Sequence, residues 1–531
     1  MDFERELDPD PDELRELGSI AVELMAEHFE RVETVETFPD APPPEVAAAF
    51  DDPLPQEGED PEEILAEWTE RVYPYAAHTG SPRWFGFVMG SGTPIGALAE
   101  GLAAAVNMNA GGWFGGPSAT EVERQCLRWL AELVGYPADG GGVLTSGGTM
   151  ANQTAVYTAL QSATDFEART AGVGGVRETN DTGRFTLYHS AHEGHSSIER
   201  VAELIGVGSD AVRAVPCDEE YRLDPVALDA MLTEDVENGD VPFCVVAYVG
   251  SINVSAVDPL DEVADVCADH GVWFHADGAC GGVGAALPEE ADSFEGLDRA
   301  DSLTMDPHKW LSVPYGCGCV LFRDADAQSR AFSMHAAYLD ETADETYHGT
   351  NFAYRGPEMS RPFRALKLWA SLKHRGVEGY REQLRRSCAC AEHLHDRVAA
   401  ADDFEVLQEP KLFIYSFRYL PRDLRDAVAG ADSDEVDTDS DHGTVETDTV
   451  RTETVEAYLD WLNQRIADDL RLTGEAYVTT TAVRDHTVLR LSICSHRTTP
   501  ADIDVTFEAL GEHGERIDGE HRDRLNEFRE T

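Results

Sequence analysis

Lysine is almost missing from this chain. Its 531 residues include 41 basic side chains, of which only four are lysines (Lys309, Lys367, Lys373 and Lys411), against 101 acidic ones. Positive charge is scarce as a whole, and the formal net charge is −60. A surface of that sign repels a phosphate backbone and an anionic lipid face, so no nucleic-acid or membrane partner is expected. Long apolar runs are missing too, and no stretch is of the length that spans a bilayer. The start, Met1-Asp2-Phe3-Glu4-Arg5-Glu6, has neither the basic cluster nor the apolar segment of a signal peptide. The ten cysteines are scattered, with no CxxC and no Cys/His pairing at zinc spacing. No metal site is therefore expected, and the cysteines read as small buried side chains of a reducing compartment. Acidic residues spread along the whole length, with arginine in place of lysine, suit multimolar salt, where the Debye length falls to about 3 Å. The expected setting is the cytoplasm of an extreme halophile.

What is present is a globular composition, 42% apolar, with enough length for two or three domains. Residues 1–80 carry helical patterning broken by Pro-rich joints and read as an N-terminal helical arm or cap. Over 81–375, short β-rich runs (Phe185–Tyr188, Phe243–Val249, Val272–His275, Ser302–Met305, Cys319–Phe322) alternate with helical stretches such as Leu260–His270. That rhythm predicts an α/β domain on a mostly parallel sheet. From 376 to 531 a long helix and strands such as Leu412–Phe417 and Val488–Ile493 predict a smaller α+β domain. Within it, the Asp-, Thr- and Ser-rich segment 429–450 reads as a solvated insertion loop.

Three segments carry chemistry. In Ser302-Leu-Thr-Met-Asp306-Pro-His308-Lys309-Trp310 one of the rare lysines follows an apolar strand. Burial lowers a lysine's pKa and frees its amine to form a Schiff base. In Val272-Trp-Phe-His275-Ala276-Asp277-Gly278-Ala279-Cys280 a strand ends in a carboxylate, at the place where open parallel sheets bind ligands. A carboxylate there is either paired or holds a cationic ligand atom such as a protonated pyridine nitrogen. In Val143-Leu-Thr-Ser146-Gly147-Gly148-Thr149 a strand meets a Gly-rich turn whose N–H groups and Thr149 hydroxyl suit a phosphate. Lysine, carboxylate and phosphate turn together point to pyridoxal 5′-phosphate (PLP).

On these motifs the chain resembles the group II PLP-dependent amino-acid decarboxylases, the family of aromatic L-amino-acid, glutamate and histidine decarboxylases. The resemblance runs from the arm to Leu489-Arg-Leu-Ser-Ile-Cys494. It implies an aminotransferase-like fold (fold type I) and an enzyme that releases CO2 from an L-amino acid to leave the amine. By this resemblance Lys309 would carry PLP as a Schiff base, Asp277 would pair with the pyridine nitrogen, and Ala279 would pack against the ring. His195, in His192-Glu-Gly-His195, would stack on the opposite ring face, whereas His192 is structural. Gly147, Gly148 and Thr149, assisted by His308, would hold the phosphate, beside Asp306. Tyr338 falls where the family has the tyrosine that returns a proton to the substrate Cα, with Tyr347 and Tyr354 as weaker candidates. Ser360, in Met359-Ser360-Arg361, resembles a segment that reaches the phosphate from the neighbouring subunit, which implies a homodimer with shared sites.

The chain departs from the family pattern at three places. Asp306 replaces a common Asn, Gly250-Ser251-Ile252 replaces Gly-Thr-Thr, and Gly278-Ala279-Cys280 replaces Ala-Ala-Tyr. Phe87, Val88 and Met89 would form an apolar pocket wall, favouring an aromatic or other bulky side chain. Arg83 keeps glutamate or aspartate open as substrates, and 2,4-diaminobutyrate is a further alternative. Two rival readings are an oxidative, aldehyde-forming member of the family and a catalytically silent protein kept for partner binding. A dehydrogenase reading of Gly90-Ser-Gly92-Thr-Pro-Ile-Gly96 fails, because the spacing is GxGxxxG and Pro94 interrupts the helix start.

Overall fold

The computed structural model describes residues 9–333, 349–429 and 442–529. The chain opens with helices α1 (Pro11–Arg31), α2 (Pro43–Ala48) and α3 (Pro61–Glu67). Each starts on a proline, whose missing N–H is no loss in a first turn. At α1 the Asp10 carboxylate caps the helix by accepting from Asp12 and Glu13 N–H. None of these helices buries a residue within the chain. Then follow α4 (Pro94–Val106), α5 (Pro117–Val134) and α6 (Gly148–Ala163).

Seven strands, β1 (Gly141–Thr145), β2 (Phe185–Ser190), β3 (Val212–Val215), β4 (Val241–Tyr248), β5 (Trp273–Gly278), β6 (Ser302–Met305) and β7 (Gly318–Phe322), form one sheet in the order β1-β7-β6-β5-β4-β2-β3. All neighbours are parallel except at β7, which runs against both β6 and β1. The expected mostly parallel α/β sheet is therefore present. Residues at 0% exposure such as Leu144, Val245, Ala276 and Leu303 build the core around it. Strands buried on both faces read as continuous apolar runs, which is why they were legible in the sequence.

A second, antiparallel sheet of β8 (Phe404–Val406), β9 (Ile414–Tyr419), β10 (Thr479–Val483) and β11 (His486–Ser492) has the order β10-β11-β9-β8. Phe417, Leu459, Leu491 and Leu510 belong to the core it shares with helices His442–Thr473 and Pro500–His521. The expected loop at 429–450 needs correction at its far end. Backbone is helical from His442 onward. No glycine or proline interrupts Thr444–Thr473, so a helix anchored by buried Tyr458, Leu459 and Leu462 extends back into polar sequence.

A buried ion pair holds the end of β1 in place. Arg361 lies 2.6 Å from Glu123, and both are under 3% exposed. Glu123 also accepts from Leu144 N–H (2.9 Å), while Arg361 donates to Leu144 C=O (2.6 Å). Both charges thus find hydrogen bonds, which an interior ion pair requires.

Candidate active site

Because β7 alone is reversed, β1, β2, β4, β5 and β6 present their carboxyl ends on one side of the sheet. There they open onto a cavity of about 490 Å³. It brings together Phe87, Val88, Met89, Gly147, Gly148, Thr149, His195, Asp277, Ala279, Asp306, His308 and Lys309. Ser360 does not line it and sits in an exposed turn of its own chain. Tyr338 and Tyr347 lie outside the described residues, and neither Tyr354 nor Arg83 lines the cavity.

Lys309 is presented by a tight turn after β6, closed by Lys309 N–H donating to Asp306 C=O (2.9 Å). Gly90 packs on this turn so closely that an added Cβ would lie 2.2 Å from the Lys309 carbonyl oxygen. Trp310 anchors the far side, fully buried and stacked on Phe413 at 4.1 Å. The lysine amine meets Asp306 Oδ2 at 3.0 Å and Cys280 Sγ at 3.6 Å.

Burial alone does not decide the charge of this lysine. Desolvation pulls its pKa down, but Cys280, Asp306 and Asp277 push it up, and the net shift is upward. Cys280 is itself held as a neutral thiol by burial, so the carboxylate of Asp306 is the nearest opposing charge. The expectation of a neutral amine is therefore corrected: without a ligand Lys309 is an ammonium ion paired with Asp306.

Asp277 ends β5 and is 6% exposed. Its Oδ1 accepts from Ala279 N–H (3.1 Å) and its Oδ2 from Asn152 Nδ2 (2.7 Å). Behind it the amide of Asn152 joins His275 Nε2 (3.1 Å), and His275 Nδ1 faces Ser302 Oγ (2.8 Å). Burial lowers the His275 pKa to about 4, so the ring is neutral. The chain then has one polarity. The Ser302 hydroxyl, already accepting from Trp273 Nε1–H (2.9 Å), donates to His275; His275 donates to Asn152; Asn152 donates to Asp277. Among the described residues, both hydrogen bonds to this carboxylate come from donors.

The turn Ser146-Gly147-Gly148 leads from β1 into α6, so free N–H groups and the helix dipole face the cavity. Asp306 Oδ2 takes the Gly148 N–H (3.0 Å), while its Oδ1 is buried without a partner. The space here is tight: a Cβ on Gly148 would lie 2.8 Å from Asp306 Oδ2. His308 accepts from Cys317 N–H at Nδ1 (3.1 Å), which leaves Nε2 as its donor, and burial lowers its pKa. Across the cavity, His195 Nδ1 accepts from Ser197 N–H (3.1 Å).

Sequence reasoning missed Asn152, Tyr248, Ser197 and Tyr315, all of which line the cavity. One signal was available: His275 and Asp277 are two apart on a strand and share a face. A polar pair on one face of an apolar strand calls for a polar partner such as Asn152.

Comparison with known proteins agrees with this geometry. Residues 43–420 match the pyridoxal-dependent decarboxylase conserved domain. The chain belongs to that family. It is 31% identical over 492 residues to an aromatic-L-amino-acid decarboxylase of Bacillus atrophaeus, covering 93% of each chain. A phenylacetaldehyde synthase of Petunia hybrida is 25% identical over 512 residues, covering 95% of this chain and 94% of the relative. Among solved structures, Oryza sativa TDC with PLP and tryptamine superposes with a TM-score of 0.83 at 26% identity, covering 97% of this chain and 99% of that one. The chain is thus a PLP-dependent amino-acid decarboxylase of fold type I. Its residues fit the cofactor: an amine, a carboxylate supplied only with donors, and N–H groups at a helix start surround one cavity.

Asp306 thus engages both the Lys309 amine and the Gly148 N–H, and if these two groups receive the cofactor, both contacts have to be given up on loading. Asp306→Asn is expected to lower the Lys309 pKa by about one unit or more. Below that pKa the fraction of neutral amine then rises about tenfold. Stopped-flow absorbance of the apoenzyme with PLP across pH should show capture moving to lower pH by that amount. An unchanged profile would rule the ion pair out as the barrier.

Proposed function

We propose that this decarboxylase acts on an aromatic L-amino acid. One observation carries the reading: among the described residues Phe87, Val88 and Met89 line the cavity and no arginine does. A substrate side-chain carboxylate would lose its hydration there without gaining a cation, whereas an aromatic ring loses only unfavourable apolar exposure. The aromatic-L-amino-acid decarboxylase of Bacillus atrophaeus supports the same direction.

When bound, PLP supplies an electron sink for the pair left at Cα as CO2 departs. In the proposed assignment the Lys309 amine would hold the cofactor. Asp277 would pair with the pyridine nitrogen and keep it protonated, and Ala279 and His195 would hold the ring between them. Gly147, Gly148, Thr149 and His308 hold the phosphate, with Ser360 reaching it from the neighbouring subunit of a homodimer. Tyr338 returns one proton to Cα, so that the amine leaves intact. Loss of that step would leave the decarboxylated substrate open to two-electron oxidation by O2, releasing hydrogen peroxide, ammonia and an aldehyde, the class of product in the name of the Petunia hybrida relative.

Product mass spectrometry tests the reading. The PLP-loaded protein, in multimolar KCl, is incubated with aromatic, acidic and diamino acids. An amine from the aromatic class is expected, with kcat/KM about 100-fold or more above glutamate, the scale on which an unpaired polar group is rejected. A preference for glutamate, aspartate or 2,4-diaminobutyrate overturns the substrate assignment. Aldehyde formation with oxygen uptake overturns the assignment of simple decarboxylation.

A further inference from the structure

His195 lies in the loop between β2 and the helix Ser197–Leu204, where no strand ladder fixes an imidazole. Besides the ring contact to Ser197, its backbone N–H donates to the Tyr248 hydroxyl (2.9 Å). Tyr248 is the last residue of β4, is 3% exposed and lines the same cavity. A hydroxyl that accepts from His195 keeps its own proton to donate. His189 Nδ1 stands 3.3 Å away to receive it. That contact leaves the proton of His189 on Nε2, which faces Glu199 Oε1 at 3.7 Å. Burial lowers the His189 pKa and keeps the ring neutral, as an acceptor at Nδ1 must be.

Gly194 shows how closely this arrangement is built. A Cβ there would lie 2.1 Å from His189 Cε1. The His189 ring thus fills the space against the residue that precedes His195. Both the peptide on which His195 hangs and the hydroxyl that holds it lean on one buried histidine.

We propose that Tyr248 is a positioning residue of the decarboxylase: its hydroxyl, oriented by His189, sets the height of His195 over the cofactor ring. The inference rests on the reading of His195 as the residue covering that ring. Tyr248 acts through His195 and exchanges no proton with substrate. Its aromatic ring is core, and its hydroxyl carries the function.

Tyr248→Phe keeps the ring and removes the hydroxyl. In the PLP-loaded protein it should change the circular dichroism of the cofactor band, which reports ring orientation. PLP should dissociate about tenfold faster and kcat fall about tenfold, the scale of one hydrogen bond, while KM moves less than about twofold. His189→Leu should reproduce these changes, and adding it to Tyr248→Phe should cost nothing further, because the two residues act in series. His189→Asn, which keeps an acceptor near the Nδ1 position, should restore the cofactor dichroism and kcat. A Tyr248→Phe protein with unchanged dichroism, PLP release and kcat overturns the proposal, as does full additivity with His189→Leu. His195→Gln separates the two readings. If it leaves dichroism and kcat intact, the role of His195 fails and the proposal falls with it; if it alone impairs both while Tyr248→Phe is inert, only the positioning role is lost.

Discussion

Replacing Lys309 with Ala is expected to give a folded protein that retains no PLP covalently and has lost turnover by about three orders of magnitude or more. The size of the effect follows from the scarcity of lysine. Among the described residues no second amine stands near enough to take over. Lys367 is buried against Glu100 (2.7 Å) and the Tyr315 carbonyl, Lys373 lies over the Trp369 ring, and Lys411 pairs with Glu220 at the surface. None of the three lines the cavity. Borohydride reduction followed by mass spectrometry distinguishes loss of attachment from loss of affinity. Wild-type protein should gain the mass of the reduced cofactor and the variant should not. A variant that still gains it, or that turns over within tenfold of wild type, would remove Lys309 from the chemistry. Because the amine is paired with Asp306 rather than with a core contact, its loss should leave the fold intact. It does leave Asp306 buried without that partner, so some fall in the melting temperature of the apoprotein is expected.

The sheet was legible because its strands are buried on both faces and so stand out as apolar runs. The helix Leu260–His270 and strand Ser302–Met305 have the bounds that their patterning predicts. The edge strand β3, with only one of its four residues buried, left no such run. The placement of β1 beside β7 was not legible at all, since more than 150 residues separate two strands that pair directly. The same division holds at the site. Lys309, Asp277 and the Gly147-Gly148-Thr149 turn are each local signals, a rare residue or a strand end. Asn152, Tyr248 and His189 meet partners from distant parts of the chain, and beyond the polar pair His275 and Asp277, which calls for a partner such as Asn152, no local pattern points to them. The charge of Lys309 also depends on a distance, the 3.0 Å to Asp306, whereas the sequence offered only its burial.

Asp277→Asn should be the most damaging substitution that leaves the cofactor attached. The side chain is nearly isosteric, so Lys309 keeps its partner and the visible absorption of the loaded enzyme should persist. Two things are lost together. On the proposed assignment the carboxylate would no longer pair with a protonated pyridine nitrogen, and removing one member of a buried ion pair costs about 3–5 kcal/mol. If that cost falls on the transition state, kcat drops about 10² to 10⁴-fold. The second loss is one of polarity. Ala279 N–H and Asn152 Nδ2 both donate to Asp277, and an amide can accept only at its oxygen. Its NH2 must face one of these donors. Turning the Asn152 amide to relieve the clash would set its own NH2 against His275 Nε2–H, which now donates to the Asn152 oxygen. Moving that proton to Nδ1 would in turn require the Ser302 hydroxyl to reverse. The mismatch thus runs back to Ser302, and stability should fall along with rate. Asn152→Asp is the informative companion: it relieves the mismatch at position 277 without restoring charge beneath the pyridine nitrogen. The pair Asp277→Asn/Asn152→Asp should therefore recover melting temperature but not kcat. Recovery of kcat would show that Asp277 serves the hydrogen-bond chain rather than the cofactor.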